Sequence, residues 1–317
     1  MIEIIIILLH ELSKPLRVTC REAFGQGCGV CGRLMLIILG TFNFKLRMSV
    51  NVMKIGIVGA AGRMGRMLLA AVSAADGAHI AGGTEAAGHP DMGTDLGALV
   101  GLDAAGVVLT SDARALFDAA DAVVDFTVPT ATAAHAAIAA ATGTVLVIGT
   151  TGLDIQHQHA IEQAATKAAL VQAANYSVGV NLLLGLVEQT ARILPDAYDI
   201  EDLEMHHHHK IDAPSGTALA LGEAAAAGRD VNLADVADKV RDGMTGARTR
   251  GDIGFATLRG GDVVGDHTVM FAGAGERVEI THKAASREIF AAGAIRAAMW
   301  ATQQKPGLYS MKDVLGF

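Results

Sequence analysis

The chain has 317 residues, of which 51% are hydrophobic and 18% are charged, which is enough apolar material for two packed domains. Its net charge of −8, with no basic stripe, excludes non-specific binding to nucleic acid, so any anionic ligand must be held by local groups. The three cysteines, Cys20, Cys28 and Cys31, all lie near the start. This excludes a disulfide framework for the main body and predicts a reducing compartment, the cytoplasm.

The first 47 residues differ from the rest of the sequence. Residues 2–9 form an apolar run, but neither a basic start nor a small-residue cleavage site of a secretory signal accompanies it. The run is also shorter than the roughly 20 residues of a transmembrane helix, so we expect no membrane partner. Cys28 and Cys31 have the spacing of a zinc or redox pair, but no second pair follows. We expect residues 1–47 to be a poorly ordered extension outside the fold.

Short apolar segments alternate with helical patterns from residue 53 to residue 172. The predicted strands are residues 53–58, 79–82, 122–126, 144–148 and 169–172, with helices that include residues 66–75, 131–141 and 154–167. Strand and helix alternating in this way predict an α/β fold with a parallel, doubly wound sheet.

The pattern changes after residue 177. Residues 178–194 predict one long apolar helix, and alternating segments follow at residues 198–205, 253–259, 263–272 and 277–282. These segments predict an antiparallel or mixed sheet in a second domain of α+β type. The last predicted helix, residues 287–301, could return to the first domain.

Three glycines, Gly59, Gly62 and Gly65, lie between the first predicted strand and the first predicted helix. In a dinucleotide-binding loop such glycines permit a tight turn, a close approach of the pyrophosphate and close helix–strand packing. The pyrophosphate then meets free N–H groups at the helix start. Glu85 lies 20 residues after Gly65, at the end of the second strand, where a carboxylate can bind adenine-ribose hydroxyls. Although GxxGxxG is less common than GxGxxG and a plain structural turn is the alternative, these features together predict dinucleotide binding.

Four consecutive histidines, residues 206–209, have three alternative interpretations: a purification tag, a metal site and a solvated polar turn. A tag would be terminal, whereas this run is internal. Neighbouring histidines of a strand point to opposite faces, and no cysteine or second histidine motif completes a tetrahedral set, so we expect no metal. Against a solvated turn, the run leads directly into a specific sequence context.

That context is Lys210 followed by Pro214-Ser-Gly-Thr217, which predicts a helix start before residues 218–227. The N–H groups of a helix start can bind a carboxylate, and Lys210 adds a positive charge nearby. A histidine beside them can transfer a proton. The stretch therefore predicts a site that binds and protonates a small dicarboxylate.

Five motifs occur along the chain in one order: GAAGRMG at residues 59–65, DFT at 125–127, GTTG at 149–152, ANYSVGVN at 174–181 and HHHHKIDAPSGTA at 206–218. In this order they resemble the dihydrodipicolinate reductase family, and the resemblance covers residues 53–315. It implies a Rossmann-type dinucleotide-binding domain made of residues 48–177 and 287–317. It also implies a substrate-binding domain, residues 178–286, whose sheet builds a homotetramer.

Members of that family reduce a cyclic, unsaturated dicarboxylate with NADH or NADPH in the diaminopimelate route to lysine. The resemblance implies that His206 is the catalytic proton donor and acceptor and that Lys210 is a second proton donor. It implies substrate contacts from His207, Gly216 and Thr217. The implied cofactor contacts are Gly59, Ala60, Ala61, Gly62, Arg63, Met64, Glu85, Gly149, Thr150, Thr151, Ala173, Ala174, Asn175 and Tyr176.

The chain departs from the family pattern at three positions. Ala86 follows Glu85, and Val128 follows the DFT motif, where relatives that use NADPH often have arginine. Losing a charge-assisted contact of about 1.5–3 kcal/mol would lower NADPH affinity roughly 10–100-fold. Glu85 would also repel a 2′-phosphate, so we expect a preference for NADH. The third departure is His208, where relatives often have arginine.

Two other functions stay open from the residues alone. Another Rossmann-type amino-acid dehydrogenase, such as an aspartate dehydrogenase, would share the glycine loop but lack the histidine stretch. A dinucleotide-sensing binding module would need no proton donor beside the predicted carboxylate site, so His206 and Lys210 argue against it.

Overall fold

A computed structural model describes residues 52–317, and the expectation for residues 1–47 lies outside these residues. The strands are β1 (Met53–Val58), β2 (Ala78–Thr84), β3 (Leu109–Thr110), β4 (Ala122–Asp125), β5 (Val145–Ile148), β6 (Ala169–Gln172), β7 (Asp199–His206), β8 (Ala237–Asp238), β9 (Ile253–Arg259), β10 (Gly265–Gly273), β11 (Glu276–Ala284) and β12 (Gly307–Tyr309). The helices are α1 (Arg63–Ala74), α2 (Ala113–Ala119), α3 (Pro129–Thr142), α4 (Ile155–Ala165), α5 (Val178–Ile193), α6 (Gly216–Gly228), α7 (Leu233–Val236), α8 (Glu288–Ala301) and α9 (Met311–Leu315). Between residues 52 and 317, no helix combines the length and the apolar character of a membrane span.

The first sheet consists of seven parallel strands in the order β3-β2-β1-β4-β5-β6-β12. Its first six strands have the order of a Rossmann fold, which confirms the predicted parallel, doubly wound sheet. Every residue of β4 and β5 is buried, because helices cover both faces of the sheet.

Helix α8 packs on this first sheet. Ala291, Ala294 and Ala298 are fully buried in the core on one face of the sheet. Gly293 lies against the chain that leaves β6, because a Cβ at that position would stand 1.8 Å from the carbonyl oxygen of Tyr176. The small side chains of α8 therefore let it pack closely on the first sheet.

The second sheet has the order β11-β10-β7-β9-β8 and is mixed, because β7 runs antiparallel to β10 and parallel to β9. Helices α5 and α6 cover one face through a core that includes Leu183, Leu221 and Phe271. In the register of β7 and its neighbours, Glu204 pairs with His267 on β10 and with Thr257 on β9. Paired residues project to the same face of a sheet, so these polar side chains meet under the helices.

Candidate active site

The glycine loop joins β1 to α1 at the carboxyl end of the first sheet, where Rossmann folds bind dinucleotides. Gly59 has a φ of +68°, which disfavours other residues. A Cβ at Gly65 would stand 2.1 Å from the carbonyl oxygen of Gly59 and 2.6 Å from the Cα of Ala60. In the part of the chain that the structure describes, no side chain caps α1 at Gly62, so the first N–H groups of the helix can bind an anion. The loop thus fits a dinucleotide pyrophosphate.

The other predicted cofactor residues follow β2, β5 and β6 at the same edge. Glu85 follows β2, and its carboxylate accepts a hydrogen bond of 3.0 Å from the backbone N–H of Ala86. Gly149 packs on Phe126, since a Cβ there would stand 2.2 Å from that ring. In the glycine loop, Ala60 and Ala61 are buried, Met64 is partly buried, and Gly62 and Arg63 are exposed. Among the residues after β5 and β6, Thr150 is buried, whereas Thr151 and Ala174 are exposed. The others in that group are partly buried: Gly149, Ala173 and Asn175.

Tyr176 differs from the rest of this group. It is 1% exposed, and its hydroxyl lies 2.8 Å from the carbonyl oxygen of Ile148 and 2.9 Å from that of Val171. Its ring packs against Phe126 at a centroid distance of 5.5 Å. The side chain of Tyr176 therefore belongs to the core, where it anchors the chain between the two sheets.

His206 ends β7, and its imidazole is held by Glu204. The His206 Nδ1 lies 2.6 Å from the Glu204 Oε2, and both side chains project to the helix-covered face because they are two residues apart on the strand. Two nitrogens of the Arg259 guanidinium also donate to Glu204, at 2.7 and 2.9 Å. Burial by itself raises the pKa of Glu204, but the bonds from Arg259 and His206 outweigh it and hold that pKa below its ordinary value. A charged carboxylate at Nδ1 leaves the Nε2 of His206 to exchange a proton with a ligand.

His267 lies beside His206, with the two rings edge-on at a centroid distance of 5.2 Å. It is 3% exposed, and burial together with the charge of His206 lowers its pKa to about 4. His267 is therefore neutral at pH 7 and adds no second positive charge to the site.

The start of α6 lies next to this histidine pair. Ser215 caps the helix, since its Oγ accepts a bond of 3.1 Å from the backbone N–H of Ala218. The backbone N–H of Ser215 donates to Glu204 at 3.1 Å, so one carboxylate orients both the imidazole and the helix start. Among residues 52–317, a Cβ at Gly216 would meet nothing within 4 Å, so these residues leave space in front of this turn. A ligand carboxylate fits there.

A hydrogen bond joins the two predicted sites. The side-chain amide of Asn175, in the chain after β6, donates to the Thr217 hydroxyl in the first turn of α6 at 3.2 Å. The structure thus brings a predicted cofactor residue and a predicted substrate residue into direct contact.

Lys210 and the remaining histidines lie in the turn between β7 and α6. The Lys210 ammonium contacts both carboxylate oxygens of Asp212 at 2.8 Å. His207 lies 3.2 Å from the Arg287 guanidinium. His208 contacts the carbonyl oxygen of Gly261 through its Nδ1 at 2.9 Å and is exposed. Among residues 52–317, no cluster of histidine, cysteine and acidic side chains is arranged to hold a metal ion.

Sequence reasoning missed Glu204, Arg259, His267 and Arg287. Glu204 had a detectable signal, because it precedes His206 by two residues in a predicted strand and so shares its face. The other three come from distant segments and join the site only through strand pairing and the return of the chain at α8.

Together the Rossmann sheet, its glycine loop and the adjoining Glu204–His206 pair are those of an NAD(P)H-dependent oxidoreductase. The family models described as dihydrodipicolinate reductase, N-terminus, and dihydrodipicolinate reductase, C-terminus, match residues 53–176 and 179–315. The chain therefore belongs to the dihydrodipicolinate reductase family, as the motifs predicted.

Individual relatives agree with this membership. A 4-hydroxy-tetrahydrodipicolinate reductase of Rhodopseudomonas palustris is 57% identical over 264 residues, which cover 83% of this chain and 97% of the relative. One of Parvibaculum lavamentivorans is 55% identical with the same coverage. The solved structure of a dipicolinate-bound dihydrodipicolinate reductase from Paenisporosarcina sp. TG-14 has a TM-score of 0.68, covering 83% of this chain and 99% of that one, at 21% identity. At that identity the structure shows a shared fold.

Proposed function

We propose that this chain reduces (2S,4S)-4-hydroxy-2,3,4,5-tetrahydrodipicolinate to (S)-2,3,4,5-tetrahydrodipicolinate in the diaminopimelate route to lysine. The names of its relatives support this reaction. The observation that carries it is the Glu204–His206 pair beside the start of α6, which Asn175 joins to the cofactor edge. No comparable pair is needed by a module that only binds dinucleotides.

In this proposal the cofactor lies along the carboxyl edge of the first sheet. The N–H groups of Gly62–Met64 bind the pyrophosphate, with Gly59–Ala61 forming the turn, and Glu85 binds the adenine ribose. Gly149–Thr151 and Ala173–Asn175 hold the nicotinamide end, and Tyr176 anchors that segment from the core. When bound, the reduced nicotinamide supplies a hydride to the substrate ring.

The substrate lies at the start of α6, where the backbone of Gly216 and Thr217 holds one carboxylate and His207 makes a further contact. In going from substrate to product, the ring loses its hydroxyl as water and gains a hydride and a proton overall. The reduction therefore requires a proton donor. His206 supplies it through Nε2, with Glu204 stabilising the charged imidazole, and Lys210 is a second donor. Such general acid help contributes about 10²–10⁴ in rate.

We further propose that NADH is preferred over NADPH. Ala86 and Val128 provide no positive charge for a 2′-phosphate, and the carboxylate of Glu85 would repel one. Steady-state assays with each cofactor test this preference, and a kcat/KM for NADPH well above that for NADH would refute it.

The proposal includes the organisation of the chain. Residues 48–177 and 287–317 form the cofactor domain, residues 178–286 form the substrate domain, and the protein is a cytoplasmic homotetramer. An apolar group on the face of the second sheet opposite α5 and α6 supports assembly there: Leu203, Met205 and Met270 are partly exposed and Leu258 is 47% exposed. Sedimentation of purified protein tests it, since a monomer at micromolar concentration would contradict a tetramer.

An assay of turnover separates this function from the alternatives. The product of the preceding synthase reaction is supplied, and the loss of NADH absorbance is followed. Turnover of that product supports the reductase, whereas oxidation of aspartate with NAD⁺ would favour an amino-acid dehydrogenase. Tight NADH binding without turnover of either substrate would favour a dinucleotide-sensing module.

A further inference from the structure

Asp125 is a buried carboxylate at the cofactor edge that the proposed chemistry does not use. It ends β4 and is 0% exposed. Its Oδ2 lies 2.8 Å from the Nδ1 of His135 on α3, and the His135 side chain is itself 13% exposed. The pair therefore lies below the surface, behind the residues proposed to touch the cofactor.

The other carboxylate oxygen of Asp125 holds the chain that follows β4. It accepts hydrogen bonds from the backbone N–H of Thr127 at 2.9 Å and from the Thr127 hydroxyl at 2.6 Å. The methyl group of Thr127 in turn lies against the first turn of the glycine loop, since a Cβ at Gly59 would stand 2.8 Å from it. Thr127 thus transmits the position of Asp125 to the glycine loop.

The same oxygen also contacts the loop after β5. The Thr150 hydroxyl lies 3.3 Å from the Oδ1 of Asp125 and accepts a bond of 2.7 Å from the hydroxyl of Thr132 on α3. Thr150 is 6% exposed and Thr132 is fully buried. Asp125 consequently connects two loops that both carry proposed cofactor residues.

Because Asp125 is charged and buried, this arrangement depends on the groups that donate hydrogen bonds to its carboxylate. Burial by itself raises the pKa of Asp125, but the bond and charge of His135 and the bonds from Thr127 hold it below its ordinary value. A buried carboxylate that loses one donor must find another or pull its neighbours toward it. Removing the His135 donor would therefore displace Thr127 and Thr150.

We propose that Asp125 and His135 are positioning residues for the dinucleotide, fixing the spacing between the glycine loop and the loop of Gly149–Thr151 through Thr127 and Thr150. The pair sets cofactor affinity and leaves proton transfer at His206 unchanged. The inference rests on the proposed cofactor site.

The test compares the affinity for NADH of four proteins, measured by calorimetry. His135→Leu removes the donor, and we expect its Kd to rise about tenfold, the effect of losing roughly one charge-assisted bond. His135→Asn keeps an amide N–H close to the position of Nδ1, and its Kd should stay within about threefold of the parent value. The matched control is Thr144→Val. Thr144 lies just before β5, at the opposite end of that strand from Thr150, and its hydroxyl donates a buried bond of 2.9 Å to the carbonyl oxygen of Phe117. Its Kd should not change.

Kinetics add a second readout: the KM for NADH should rise in His135→Leu while kcat and the KM for the dicarboxylate stay constant. An unchanged Kd in His135→Leu, or equal weakening in Thr144→Val, would overturn the proposal. If His135→Leu does not fold, Thr127→Val tests the same link, because it removes the hydroxyl bond to Asp125 at a residue that is not proposed to contact the cofactor. An unchanged Kd there is equally adverse. Gly65→Val tests the proposed cofactor site separately from His135. If that variant binds NADH with the Kd of the parent protein, the proposed location of the cofactor is wrong.

Discussion

The Glu204 Oε2 lies 2.6 Å from the Nδ1 of His206, two residues along the same strand. Because Glu204 also accepts the backbone N–H of Ser215 and two bonds from Arg259, one buried carboxylate holds both the proposed proton donor and the proposed carboxylate-binding turn. Substitutions at these positions should therefore separate effects on chemistry from effects on folding.

His206→Gln should lower kcat by about 10²–10⁴, because an amide cannot exchange the proton that an imidazole exchanges. The Kd for NADH should not change, since the cofactor edge lies on the other sheet. Stopped-flow turnover and calorimetry measure the two quantities. His208→Gln is the control, as His208 is exposed and its ring contacts the carbonyl oxygen of Gly261 and the ring of His209. Unchanged turnover in His206→Gln would remove this residue from the mechanism.

Glu204→Gln should lower the free energy of unfolding by about 3–5 kcal/mol at pH 7, because Arg259 and His206 lose a buried charged partner. The folded pKa of Glu204 is lowered, so its contribution is present above the unfolded pKa and is lost as pH falls through the folded pKa. Urea unfolding at pH 7 and in acid measures this. Asp118→Asn, which removes a 53% exposed carboxylate paired with Arg114, should cost about 1 kcal/mol or less. Equal losses in both variants would contradict a special role for Glu204.

Asp202 should destabilise the protein as pH rises. It is 1% exposed, and neither of its carboxylate oxygens has a hydrogen-bond partner among the described residues. Burial and the nearby charge of Glu204 raise its pKa from 3.8 to about 8. As pH rises, Asp202 loses its proton at a lower pH in the unfolded chain than in the folded protein. The resulting loss of folding free energy therefore grows between these two pKa values and is complete above the higher one.

Asp202→Leu should therefore raise the free energy of unfolding by several kcal/mol at pH 8 and by less near pH 4. Urea unfolding across this range measures the slope. Asp202→Asn keeps a polar group without the titration, so it should remove the pH dependence with a smaller gain. A gain in Asp202→Leu that is the same at every pH would show that ionisation plays no part.

Ala86→Arg should raise kcat/KM for NADPH relative to NADH by roughly 10–100-fold, because a guanidinium beside the adenine ribose can bind a 2′-phosphate. Steady-state kinetics with both cofactors measure the ratio. Ala87→Arg is the matched control, since it adds the same charge one residue further along an exposed turn. Equal ratios in the two variants would mean that the 2′-position is not next to residue 86.

Gly65→Ala should abolish NADH binding, because the added methyl group would overlap backbone atoms of Gly59 and Ala60 that cannot move aside without opening the loop. Gly77→Ala is the comparison: its φ is +79° but a Cβ there would meet nothing within 4 Å. It should cost about 1 kcal/mol of stability and leave the Kd unchanged. Normal NADH binding by Gly65→Ala would contradict the proposed loop.

Sequence patterns located the central strands well, because a strand buried on both faces is a continuous apolar run between turns. They missed the short helices α2, α7 and α9 and the strands β3, β8 and β12. These three strands have two or three residues each and are held by pairing with longer strands. Helix α1 begins at Arg63, three residues before the predicted start, and Gly62 is its N-cap residue.

The site was predictable where its residues are close in sequence. His206, Lys210 and the start of α6 share one stretch of the chain, and the alternation of a strand could have added Glu204. Arg259 and His267 could not be found in this way, because their positions depend on the register of three strands. Asn175 was predicted as a cofactor residue, but its bond to Thr217 required the packing of the two sheets.

The return of α8 and β12 to the first sheet has a consequence for biosynthesis. Strand β12 pairs with β6, and the alanines of α8 pack together with α1 on one face of the same sheet. Although strands β1 to β6 precede the second sheet in the sequence, helix α8 and the edge strand β12 follow it. The first sheet therefore cannot be completed until the whole second sheet has been synthesised, so the two sheets cannot be finished one after the other in chain order.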